Sequence, residues 1–173
     1  EGSMNEFIEF LKANHLKCGI SRCFHNLEDI REHYEQSAKA IELGIRMKRQ
    51  DVLLNYEDYA VFHVLDILGA KSDLKKFCHP VIFELIEYDK KNNTNYTESL
   101  HIYLSKALDT AESAKALYIH YNTMRFRIEK IQTLMGIDLR DSRLLLHLHL
   151  SFMILDFTGE LENIKSTDTW LAY

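Results

Sequence analysis

The chain has 173 residues but only one proline and six glycines. That is too little turn chemistry for a sandwich or barrel of many short strands, so long helices are the expectation. Cysteine is scarce as well: Cys18, Cys23 and Cys78. An odd, sparse set argues against a disulfide-stapled secreted scaffold and for reduced thiols in a cytoplasmic protein. Cys18 and Cys23 would supply half a zinc site at most, because no second Cys or His pair stands at finger spacing. No signal peptide is visible, and no apolar run reaches the roughly 20 residues of a membrane span. There is no glycine-rich phosphate loop and no Ser-His-acid nucleophile motif, so neither an enzyme nor a cofactor is expected. The nine histidines do not change this. His147 and His149 on one helix point about 200° apart and cannot clamp one ion. His15, His25, His33, His63 and His101 are scattered, and His79 suits a helix start. Positive charge is also short, with a formal net charge of −5. Any contact with nucleic acid must therefore come from a local cluster and weaken steeply as salt rises.

What is present supports a packed core: 46% hydrophobic and 27% charged residues. Glu1-Gly2-Ser3 reads as an expression scar ahead of Met4. Residues 4–70 read as strand–helix–strand–helix after a first short helix. Phe7, Ile8 and Leu11 give that helix its face. Cys18 and Ile20 mark one strand, and residues 52–55 the other. Asn26 is the expected N-cap of the next helix, with Asp29 three residues on. Leu27, Ile30, Tyr34, Ala38 and Ile41 form its buried stripe, and Gly44 its stop. Two strands are too few for a closed sheet, so this is a partial α/β region. Residues 71–78 are polar and fit a linker. Residues 79–157 read as a helical domain opened by His79-Pro80, because proline suits the first helical turn. Val81, Ile82, Leu85 and Ile86 form one apolar face, and Leu100, Tyr103, Leu104 and Leu108 another. The helix at about 141–157 is apolar nearly all round, which marks a central helix or a subunit contact. In the tail, 158–173, Trp170 and Tyr173 are candidate anchors. The fold class is thus mainly α: a helical bundle preceded by a small α/β fragment.

The most informative stretch is DTAESAKALYIHYNTMRFRIEKIQTLM at 109–135. Asp109 with Glu112 makes a capping box for a helix starting near Thr110. Ala111, Ala114 and Leu117 lie on its inner side. Tyr118, Ile119 and His120 leave a three-residue break. His120 is the expected cap of the next helix, with Asn122 or Thr123 as alternatives. Met124, Ile128, Ile131 and Met135 then recur at spacings of 4, 3 and 4. Two short helices so joined fit a helix-turn-helix, whose second helix enters the DNA major groove. Tyr121, Arg125, Glu129 and Gln132 are expected on its outward face. Arg125 can present two donors to guanine, and Asn122 can pair likewise with adenine. Tyr121, Thr123 and the free N–H groups of the first turn suit phosphate, and Phe126 crowds the same turn. Arg127 and Lys130 suit backbone contacts or internal ion pairs. Within this stretch four basic side chains face three acidic ones, a weak electrostatic footprint.

At these residues the sequence resembles the C-terminal helix-turn-helix domain of the purine-catabolism and carbohydrate-diacid regulators (PucR/CdaR type). The carriers are HPVIFELIEYD at 79–89, SLHIYL at 99–104, SAKALYIHYNTMRFRIEKI at 113–131 and MGIDLRDSRLLLHLHLSFMIL at 135–155. His120, Asn122, Thr123 and Arg127 match the motif directly, whereas Tyr121 replaces a usual arginine and removes one contact. GISRCF at 19–24, AKAIELG at 38–44 and NYEDY at 55–59 resemble the end of a degenerate GGDEF-like domain. The resemblance implies a transcriptional regulator whose metabolite effector is sensed by a region upstream; a helix-turn-helix reader of double-stranded DNA is further expected to work as a homodimer on a repeated or palindromic site. The alternative is a non-enzymatic interaction or dimerisation module that uses the apolar helix at 144–155.

Overall fold

Side-chain caps and apolar spacing set most boundaries in the computed structural model, which describes residues 2–164. The chain divides into two compact units, Glu1–Ser72 and Asp73–Tyr173.

In the first unit α1 (Gly2–Ala13) precedes β1 (Cys18–Ile20), α2 (Ile30–Arg46), β2 (Leu53–Asn55) and α3 (Tyr56–Gly69). The strands pair in parallel, with Cys18, Gly19 and Ile20 opposite Leu53, Leu54 and Asn55, and α2 is the crossover that parallel pairing requires. Two glycines decide which side of α2 meets the strands. A Cβ on Gly19 would stand 2.1 Å from the Ser37 carbonyl oxygen, and one on Gly44 2.8 Å from Leu54 Cδ1. Close approach there buries Gln36, Ala40, Leu43 and Gly44. The expected stripe is consequently displaced: Leu27, Ile30 and Tyr34 are exposed, at 83%, 57% and 72%. Gly44 does not stop the helix, which continues to Arg46 and uses the glycine as a contact point. Asn26 precedes a short 3-10 turn, Leu27–Asp29, without a side-chain cap bond. Asn55 does cap α3, accepting from Glu57 N.

The second unit contains α4 (Pro80–Asn92), α5 (Tyr96–Ser105), α6 (Thr110–Ala116), α7 (Tyr121–Met135) and α8 (Ser142–Phe157). His79 Nδ1 accepts from Val81 N at the start of α4, as expected of a residue before Pro80. Helix α5 begins at Tyr96, because the Asp89 carboxylate reaches across from α4. It accepts from Tyr96 N, Thr97 N and the Thr94 and Thr97 hydroxyls at 2.5–2.9 Å. Helix α5 touches α4, α6, α7 and α8. Ile82, Leu85, Leu100, Leu104, Met124, Ile131, Leu148, Phe152 and Leu155 form the heart of the core. The stretch 71–78, read as a linker, is not plain linker. Leu74–Phe77 is a 3-10 helix capped by Asp73, and Leu74 and Cys78 are buried as its apolar members. Helix α8 places Leu148, Phe152, Ile154 and Leu155 inside. Its apolar circumference is thus largely core, although Leu146 is 72% exposed. Trp170 and Tyr173 lie outside the described residues.

Candidate nucleic-acid interface

Helices α6 and α7 form a tight hairpin. Asp109 Oδ1 accepts from Ala111 N and Glu112 N at 2.7 and 2.9 Å. Glu112 pairs with Lys115 at 2.6 Å. The buried contact of α6 comes from Ser113 and Ala114, while Ala111 is exposed. Leu117 ends the helix, and Tyr118 takes the left-handed conformation at φ 53°. His120 then caps α7, its Nδ1 accepting from Asn122 N at 3.2 Å, so Asn122 and Thr123 lie inside the helix. An accepting Nδ1 puts the ring proton of the neutral imidazole on Nε2. Gly136, left-handed at φ 62°, closes α7.

Met124, Ile128 and Ile131 are buried, as their spacing predicts. At about 100° per residue the direction opposite them falls on Asn122, Phe126, Glu129 and Thr133. All four are exposed, and Tyr121, Thr123 and Arg125 flank them. The expected outward face was therefore displaced by part of a turn. Gln132 leaves that face: it is half-buried, and its Oε1 accepts from Leu139 N at 3.1 Å. Phe126 is 60% exposed and Tyr121 48%, two aromatic rings set among polar groups.

The two arginines of the motif diverge. Arg125 Nε donates to Glu129 Oε1 at 2.9 Å, one turn on, and both side chains are mostly exposed. Arg127 is half-buried and its Nη1 donates to the Ser99 hydroxyl of α5 at 3.0 Å. It ties the second helix to the core through a hydroxyl rather than an ion pair. Lys130 is half-buried. Sequence spacing alone displays the Arg125–Glu129 pair, whereas nothing local marks Ser99 as the partner of Arg127. Arg140, beyond α7, pairs with Asp138 at 2.9 Å. Three cations around the hairpin thus already hold a carboxylate.

The histidines fall elsewhere. His147 Nε2 lies 3.0 Å from the Phe77 carbonyl oxygen, and its ring meets His79 edge-on at 4.9 Å, while His149 is exposed. Among the described residues no helix is long and apolar enough to cross a membrane.

A family model covers the hairpin. The PucR C-terminal helix-turn-helix domain matches residues 96–154, from the start of α5 to near the end of α8. The proline-responsive transcriptional activator PutR of Bacillus subtilis (strain 168) is 25% identical over 138 residues, 79% of this chain and 34% of that protein. The purine catabolism regulatory protein of the same organism is 29% identical over 133 residues, 77% of this chain and 25% of that protein. Its DNA-binding transcriptional activator AdeR is 19% identical over 134 residues, 77% and 32%. The chain thus spans a quarter to a third of the length of these relatives. No solved structure matches it significantly.

Proposed function

Since residues 96–154 match the PucR C-terminal helix-turn-helix domain, we propose that the chain is the DNA-reading part of a transcriptional regulator. The observation that carries the reading is the row Asn122, Arg125, Phe126 on the first turns of α7, exposed on the second helix of a hairpin whose turn, Leu117 to His120, has four residues rather than the expected three. In a helix-turn-helix those turns meet base edges in the major groove. Arg125 reads guanine through two terminal nitrogens and Asn122 reads adenine. Phe126 supplies an apolar contact of the kind thymine methyl groups accept. His120 Nε2–H, Thr123 and the Tyr121 hydroxyl hold phosphate oxygens. Lys130 adds charge at the margin, and Arg127 keeps α7 seated rather than reaching DNA. The regulator acts in the cytoplasm as a homodimer on a repeated site, whose half-site spacing follows from the dimer geometry. A small-molecule effector is sensed by a region of the regulator outside this chain. The alternative of an interaction module built on 144–155 finds little support, because most of the apolar side chains it needs are taken up in the core.

The test is a salt titration of the chain against the duplex upstream of its own gene and against a scrambled duplex of equal length. The reading expects tighter binding to the native duplex that weakens as salt rises. It also expects Arg125→Ala to lose roughly tenfold or more of that preference without loss of fold. Equal binding to both duplexes, or to neither, would overturn it.

A further inference from the structure

The outward row of α7 contains a carboxylate, Glu129, that no contact with DNA phosphate would favour. Its placement relative to Arg125 gives it a task. Glu129 Oε1 accepts from Nε of Arg125, the inner nitrogen of the guanidinium, at 2.9 Å. The two terminal nitrogens are the pair that spans O6 and N7 of a guanine edge. An arginine on an exposed helix face samples many rotamers, and the bond from Nε to Glu129 biases that sampling toward one arrangement before DNA arrives. The same carboxylate stands beside the one arginine on the row and offsets its attraction for phosphate.

We infer that Glu129 is a positioning residue for sequence reading: it presets Arg125 for guanine and suppresses its use as a general phosphate clamp. The inference rests on the DNA-reading role assigned to α7 above. A neighbour that removes affinity for wrong sites raises specificity as surely as one that adds a contact to the right site.

The experiment uses the 173-residue chain and a duplex library with a randomised core about two helical turns long. Sites enriched by the wild type are compared with those enriched by Arg125→Ala, Glu129→Ala and Glu129→Gln. The guanine whose selection disappears in Arg125→Ala is then replaced by 7-deazaguanine, which lacks the N7 acceptor. Wild-type binding should fall about tenfold on that replacement. Glu129→Ala should be nearly indifferent to it, while binding a scrambled duplex severalfold more tightly than the wild type. Glu129→Gln keeps an oxygen that accepts from Nε, so it should retain the guanine preference yet share the tighter scrambled-duplex binding. In the Arg125→Ala background, Glu129→Ala should leave base preference unchanged. Wild-type sensitivity to 7-deazaguanine in Glu129→Ala would overturn the inference. So would a change of base preference that persists without Arg125, since Glu129 would then be reading a base itself. Failure of the wild type to enrich any sequence would overturn the DNA-reading role as well, and is distinct from either result.

Discussion

Two arginines two residues apart on α7 have opposite duties, and helical phase separates them. Arg125 is exposed and paired through Nε with Glu129, whereas Arg127 crosses to Ser99 of α5. Arg127→Ala removes a charge-assisted bond from a half-buried pair. It should cost about 1.5–3 kcal/mol of stability in urea unfolding and leave the salt slope of DNA binding unchanged. A phosphate-binding Arg127 would instead lower that slope by about one. His79 provides a second contrast. Burial, and then the neighbouring His147, hold its imidazole below the ordinary histidine value. Its Nδ1 caps α4 as an acceptor, a role that a proton on that atom abolishes. The sign follows from the lowered value. The stability is fully present above the unfolded pKa of about 6.5 and is lost as pH falls through the folded one. Urea midpoints should decline on acidification from neutral pH. His79→Asn, which caps without titrating, should flatten that decline. At this scale the caps at His79 and His120 were readable because each partner is a neighbour in the chain, although the local cap expected at Asn26 does not form. The His120 cap needs only Asn122 N, two residues on. Gln132 was misplaced because its partner, Leu139 N, comes within reach only after Gly136 turns the chain.

At the scale of elements, the turn between α4 and α5 is organised by one carboxylate. Asp89 collects two backbone N–H groups and two hydroxyls, so the α5 N-terminus is capped by the preceding helix rather than by Asn95 beside it. Asp89→Ala strands those donors and should destabilise the unit by about 2–4 kcal/mol. Asp89→Asn should cost less, because an amide keeps one acceptor. Thermal unfolding followed by circular dichroism separates the two. Because α5 touches α4, α6, α7 and α8, its displacement should also weaken DNA binding although Asp89 lies outside the α6–α7 hairpin. Apolar period located every long helix in the sequence, yet it could not choose the buried face of α2. That segment carries apolar residues on two sides, and Leu27, Ile30 and Tyr34 are exposed while Ala40 and Leu43 are buried. The choice belongs to Gly19 and Gly44, whose missing side chains admit a close crossing. A glycine in sequence reads equally well as a helix stop. The hairpin of α6 and α7 was legible by contrast, because its caps, its turn and its buried row all lie within 27 residues, 109–135.

For the molecule as a whole, the first unit leaves Leu27, Ile30 and Tyr34 in a row on one side of the α2 segment. An apolar row of this kind on a free surface favours association. Sedimentation velocity should show concentration-dependent self-association of this chain, and Ile30→Lys with Tyr34→Glu should reduce it without changing the helical signal. Unchanged sedimentation in the double variant would mean that this row is not responsible. The second unit makes the opposite surface choice: Lys115, Arg125 and Arg140 each hold a carboxylate of their own. A closed ion pair projects little field beyond the screening length of about 8 Å in physiological salt. If the chain reads DNA as proposed, its encounter with a duplex should be closer to the unsteered rate of about 10⁵–10⁶ M⁻¹s⁻¹ than to a steered one. On the proposed DNA-reading role, such paired cations would favour a search by brief collisions over long slides along the duplex.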